Sequence, residues 1–326
     1  MFAASLSALL NRSIDYAALF PPCSLALEPA LQNQARYVRD SEAWMLNSFV
    51  LPVEKFDAAV GSISLFDSSE VGEHKQLEFT LAREDRKHPL LISALGAKTV
   101  NKDEFIAALA IAADKIKSFS AEHVDLVSIP QLEMPLPPDV DRRLLGRVGS
   151  ILEGLELQAF LETPVNLAEQ TIELLAEHNS AAGVPPLGYK LRTGGVTAEV
   201  IPTPRQIARV LVAATKLCMP IKFTAGLHHP LRQFRVEVET KMHGFLNVLG
   251  AAVLTAEHGW DKERTSKMLE DENARSFSFG DDSFTWQEWK ITTEQIKAQR
   301  KLVISFGSCS FDEPREDLRA LNLLRN

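Results

Sequence analysis

Cysteine is scarce in this chain: Cys23, Cys218 and Cys309 are the only three in 326 residues. They are far apart, odd in number and without metal-ligand spacing, which argues against a disulfide framework and against a zinc knuckle. Positive charge is in deficit too. Thirty-five Lys and Arg face 43 Asp and Glu, a formal net charge of -8, so a broad nucleic-acid or anionic-lipid surface is not expected and small-molecule partners are. No apolar run approaches membrane-spanning length, and Met1 to Leu10 has neither a basic start nor a convincing cleavage pattern. A cytoplasmic protein with no membrane partner is the expectation. The sequence also lacks HExxH, His-x-His and a glycine-rich turn after an early strand, signatures of zinc hydrolases and of dinucleotide-binding sheets. No cofactor and no resident metal are expected.

What the chain does contain is rhythm. Forty-five per cent hydrophobic and 24% charged residues suit a globular core. Short β-like runs alternate with helical patterns at intervals of mostly about thirty residues. The strand candidates are Asp15 to Phe20, Asn47 to Leu51, Leu90 to Leu95, Val124 to Ile129, Leu157 to Glu162, Tyr189 to Thr193, Ile221 to Ala225 and Phe245 to Leu249. Helical periodicity separates most of them, as in Asp103 to Phe119, Leu167 to His178 and Pro204 to Leu217, the last opened by Thr203 as N-cap. Alternation implies parallel strands, and eight such units close into a (β/α)8 TIM barrel of the α/β class. The second interval is irregular, since Leu77 to Leu81 is also strand-like. After about residue 255 the rhythm breaks, which predicts a barrel over 1–255 and a C-terminal extension over 256–326 packed against it. Apolar helix faces are compatible with a homo-oligomer.

Two lysines carry the chemistry. Lys190 and Lys222 each lie in an apolar strand-like run ending in glycine, where an ammonium is costly unless paired or used. On neighbouring strands they share one pocket. Repulsion and desolvation then push one of them toward the neutral amine that attacks a carbonyl carbon. Snorkelling or salt-bridged lysines are the structural alternative. Period two places Arg192 beside Lys190 and Thr224 beside Lys222. Asp125 opens the fourth run, Glu162 ends the fifth and Asn247 lies in the eighth. A buried ion network is the other reading of these charges.

In order and spacing these runs resemble the class I aldolases of the deoxyribose-phosphate aldolase type. The matching segments are Ile14-Asp15-Tyr16-Ala17, Val124-Asp125-Leu126-Val127, Leu161-Glu162-Thr163, Lys190-Leu191-Arg192-Thr193-Gly194 and Lys222-Phe223-Thr224-Ala225-Gly226, within residues 14 to 252. The resemblance implies a Schiff base on Lys190, a Lys222 that lowers its pKa, and proton transfer through Asp125. Glu162 is a further proton-transfer candidate. Arg192, Thr193, Gly194, Thr224, Gly226, Asn247 and one of His228 or His229 are the expected substrate contacts. Where the family holds phosphate with small residues, this chain has Leu227-His228-His229-Pro230 and Gly250-Ala251-Ala252, so a different substrate is expected. Two readings compete with an aldolase-like lyase: a metal-dependent lyase or hydrolase using His228, His229 and Glu162, with His243 as a further ligand, and a barrel that binds an anionic metabolite without turnover.

Overall fold

The computed structural model describes residues 2–67, 88–181 and 183–324. Eight parallel strands close into a barrel with helices between them. Seven come in order: β1 (Ile14–Tyr16), β2 (Leu46–Pro52), β3 (Leu90–Leu95), β4 (Val127–Pro135), β5 (Gln158–Glu162), β6 (Leu187–Arg192) and β7 (Ile221–Thr224). This is the (β/α)8 architecture. The expected strand at Leu77 to Leu81 lies outside the described residues. Among those residues no helix is long and apolar enough to cross a membrane.

Local sequence explains the helices that set the strand spacing. Asn101 and Asp141 accept the N3 amides of the helices Lys102–Glu122 and Arg142–Leu152. Thr203 and Gln206 form a reciprocal capping box with Pro204 at the first turn of Pro204–Lys216. Each cap is worth about 1 kcal/mol and fixes where the connection ends and the helix begins.

The eighth stave corrects two expectations. Phe245 to Leu249 is not a strand but the first part of the helix Phe245–His258. Its residues Phe245 through Thr255 are all buried, because the helix is enclosed by the last strand, the neighbouring helices Pro204–Lys216 and Lys262–Glu270, and a strand of a small outer sheet. A helix apolar on every side has no amphipathic period, so a five-residue sample of it reads like a core strand. The strand that closes the barrel is Val303–Ser308, hydrogen-bonded to β7 on one side and β1 on the other. The barrel therefore draws its last stave from beyond residue 255. Between the helix and that stave the chain makes an antiparallel sheet of Phe277–Phe279, Ser283–Trp286 and Trp289–Thr292. That sheet meets the first helix, Ala4–Leu10, where the Ser5 amide donates to the Gly280 carbonyl at 3.1 Å.

β4 also departs from expectation. It starts at Val127 and runs through Pro130 to Pro135, instead of ending at Ile129. Its register with β3 shifts between Leu91 and Ser93, so that Ser128 faces Leu91 and Gln131 faces Ser93. The extra residue of this bulge is where proline, lacking a ladder donor, is tolerated inside a sheet. Beyond it Gln131 and Glu133 turn inward.

Candidate active site

At the strand ends a cavity of about 1120 Å³ opens, lined by residues of the strands and the loops that follow them. This is where a barrel of this kind gathers its chemistry. Glu162, Lys190 and Lys222 stand in lateral register on β5, β6 and β7. Laterally paired residues point to the same side of the sheet, so all three side chains enter the pocket.

They belong to a chain of six alternating charges. Asp15 Oδ2 lies 2.9 Å from Lys222 Nζ, which lies 2.6 Å from Glu133 Oε1. The other Glu133 oxygen is 2.7 Å from Lys190 Nζ, which is 3.0 Å from Glu162 Oε2. Glu162 Oε1 accepts from Arg192 Nε at 3.3 Å. Side-chain exposure grades along the chain, 1% at Asp15 and Lys222, 3% at Glu133, 6% at Lys190, 15% at Glu162 and 51% at Arg192. The network thus climbs from the barrel floor to the mouth.

The deep end is saturated. Lys222 also donates to Gln131 Oε1 at 2.7 Å and Ser93 Oγ at 3.2 Å, and its ammonium lies 5.4 Å from the Phe160 ring centroid. Asp15 accepts from Asn47 Nδ2 at 2.7 Å, the Ser48 amide at 3.2 Å and Ser305 Oγ at 2.5 Å. Lys190 is less encumbered, with two carboxylates and the cavity around it.

These contacts reverse the expected protonation. Burial alone would push both ammonium groups down, but Glu133 and Glu162 raise Lys190, and Asp15 and Glu133 raise Lys222. Burial alone would push Glu133 up, yet Lys190 and Lys222 hold it well below the usual carboxylate range. Glu162 is held low against its own desolvation by Lys190 and Arg192. Mutual repulsion between the lysines is outweighed because one carboxylate stands between them. Both are charged at rest, and a neutral amine arises only by passing a proton to a neighbour.

No family model matches the chain, and no curated protein does.

Several expected site residues stand elsewhere. Asp125 is exposed in the turn before β4, eight residues upstream of Glu133, or roughly 26 Å along an extended strand. It is at the wrong end of the barrel, and the carboxylate that β4 delivers is Glu133. Asn247 is buried in the helix Phe245–His258, accepting from the Arg232 amide at 2.9 Å and donating to the Met268 and Asp271 carbonyls at 2.8 and 2.7 Å. It ties helix to loop. Asn247→Ala is expected to cost roughly 2 kcal/mol in a urea melt, from the polar groups it orphans, without changing ligand binding in the barrel mouth. Thr193 donates to the Thr224 and Ala225 carbonyls at 3.1 and 2.6 Å, fastening the ends of β6 and β7. Gly194 and Gly226 meet back to back: a Cβ on Gly194 would lie 2.8 Å from Gly226 Cα, and Gly226 has φ +79°. Their role is close loop contact.

Arg192, Thr224 and His228 do line the cavity. His228 Nδ1 lies 3.5 Å from Ser308 Oγ, 3.5 Å from Glu313 Oε2 and 3.9 Å from Cys309 Sγ. Burial pushes its pKa down to about 4, so the ring is neutral at pH 7. His229 turns away to Asp317 Oδ2 at 2.6 Å, and His243 to the Pro202 carbonyl at 2.7 Å. The set proposed for a metal is therefore not brought together. Among the described residues no group of three or more His, Cys, Asp or Glu side chains is placed to hold a metal ion.

Sequence reasoning missed Glu133, Asp15 as a site residue, Gln131 and Ser93. The signal for Glu133 was present. Gln131-Leu132-Glu133-Met134 alternates polar and apolar in strand fashion, but Pro130 before it reads as a strand end.

Proposed function

We propose that this barrel is a lyase-type enzyme that breaks or forms a carbon–carbon bond in a small carbonyl compound through an imine on Lys190. The observation that carries the reading is the position of that amine. It lines the cavity between two carboxylates, while Lys222, which lines the same cavity, is locked among four acceptors. Two acceptors leave one of the three N–H groups of Lys190 uncommitted, whereas four acceptors take up all those of Lys222.

The steps follow from the contacts. Lys190 Nζ passes a proton to Glu162 Oε2, the more exposed of its two partners, and the neutral amine adds to the carbonyl carbon. The adduct nitrogen gives a second proton to the adduct oxygen, Glu162 returns the first to the resulting hydroxyl, and that oxygen leaves as water to produce the iminium ion. The iminium draws the electrons of the adjacent carbon–carbon bond when a base takes the proton of the β-hydroxyl group. Glu162, again a carboxylate beside Lys190, is that base; the bond's electrons pass into an enamine on Lys190, the other fragment leaves as an aldehyde or ketone, and Glu162 returns the proton to the enamine carbon before water hydrolyses the imine and frees the amine. Glu133 stays ionised between the lysines and steadies the positive nitrogen throughout. Lys222, Asp15, Gln131 and Ser93 position Glu133.

Borohydride reduction tests the assignment. With carbonyl compounds present, the reduced adduct is expected on the peptide containing Lys190, and mass spectrometry reads the added mass. Label on Lys222 alone, or on surface lysines only, overturns the choice of nucleophile.

A further inference from the structure

The walls above the charged floor are informative about what enters. We propose that the substrate of this site is an unphosphorylated carbonyl compound with an apolar body, aryl or branched alkyl. The chemical part of this statement rests on the imine reading of Lys190; the binding part does not.

Three observations support it. The first concerns where phosphate would sit. A barrel of this type holds phosphate with backbone amides of the loops after its last two strands and a nearby helix N-terminus. Here the helix after Val303–Ser308 is Asp312–Ala320, whose first turn carries Asp312 and Glu313. Two of the amides at its start are already used, with Ser310 N donating to Ser308 Oγ at 3.4 Å and Glu313 N to Ser310 Oγ at 3.1 Å, and Pro314 has no amide donor to offer. A phosphate there would meet two carboxylates and find those donors engaged.

The second concerns charge. Among the described residues the cavity is lined by as many acidic as basic side chains, four of each, and its central cations are neutralised by direct partners. No net field favours a dianion.

The third concerns the rim. Val100, Val196 and Val200 line the cavity while 73%, 58% and 47% exposed. Exposed valines on loops gain nothing from the folded core, so their grouping around one opening points to a ligand. Val200 is seated deliberately: a Cβ on Gly195 would lie 2.3 Å from its Cγ2, so glycine makes the room for it. Pro137, Pro138 and Pro164 complete the wall and remove amide donors where an anion would need them. A cavity of about 1120 Å³ is also large for a three-carbon fragment alone.

Calorimetric titration of the intact chain separates the possibilities. 4-Phenylbutan-2-one and dihydroxyacetone phosphate serve as probes, since each carries a ketone and they differ in body. The phenyl ketone is expected to bind at least tenfold more tightly. Val200→Asp and Val196→Asp, both at exposed positions, are expected to weaken it at least tenfold with unchanged melting temperature. Equal or tighter binding of the phosphate ester, no measurable binding of the phenyl ketone up to millimolar concentration, or indifference to both substitutions overturns the inference. Borohydride labelling in the same samples reports on the other reading. Phenyl ketone that binds without label on Lys190 sinks the imine and leaves the apolar body standing, whereas label from the phosphate ester alone does the reverse.

Discussion

Lys190→Ala is expected to lower turnover of any carbonyl substrate by about 10⁴-fold or more, the order of loss when a covalent nucleophile is removed. That corresponds to about 5.4 kcal/mol of transition-state stabilisation. The same substitution also leaves Glu133 and Glu162 without a shared cation, so loss of activity by itself does not separate chemistry from folding. Lys190→Arg does. A guanidinium supplies positive charge to both carboxylates but stays protonated and does not add to a carbonyl. With wild-type stability in a urea melt, an arginine variant that is as inactive as the alanine variant assigns the loss to the amine. Turnover within tenfold of wild type in the arginine variant would mean that Lys190 acts as a charge and that no imine forms. Glu162→Gln extends the comparison, because it removes the proton acceptor and leaves the amine in place. Its signature is a fall in kcat and the loss of the acidic limb of the pH profile, with substrate binding retained.

The alternation of strands and helices made the barrel legible, since seven staves overlap the expected β-like runs, β4 reaching six residues beyond the end of its own. The eighth did not, and the reason is physical. Phe245 to Leu249 and Val303 to Phe306 are both short apolar runs, and what separates them is the company each keeps. The first continues into a fully enclosed helix closed by Gly259 at φ +61°, and the second is gripped by β7 and β1. Neither partner is adjacent in sequence. The two lysines were legible for the opposite reason, because charge in an apolar strand end is costly and stands out locally. Their protonation was not. It depends on Glu133 and Asp15, which lie 57 residues or more from Lys190 in the chain and were brought in by β4 and β1. Lys190 and Lys222 alone suggest repulsion; with Glu133 between them the sign of the effect reverses. Asp125 shows the corresponding error. A motif match fixed its residue type, but Asp125 precedes β4 at the far end, and the carboxylate the strand carries into the pocket is Glu133, beyond the bulge at Pro130.

Glu133→Gln is expected to cost about 3–5 kcal/mol, the usual consequence of breaking a buried ion pair from one side. Total stabilities are only about 5–15 kcal/mol, so this single amide takes a large share. Glu133 bridges Lys190 and Lys222, and glutamine matches its shape but not its charge. One of its two positions becomes an NH₂ group facing an ammonium, donor against donor. The pH dependence carries the sign. The folded carboxylate is held below the ordinary glutamate value of 4.5, so its contribution is present above that value and lost as pH falls through the lower folded one. Both lysines are raised above 10.5, so theirs is fully present below 10.5 and lost as pH rises through the higher folded values. Urea melts of wild type and variant from pH 3 to 10 are therefore expected to differ most on the neutral plateau. The gap should close as pH drops below 4.5, where the unfolded wild type takes up a proton that the native protein resists. A gap that stays constant down to pH 3 would mean that the cost comes from packing, and that the carboxylate between the lysines is not what holds the pocket floor together.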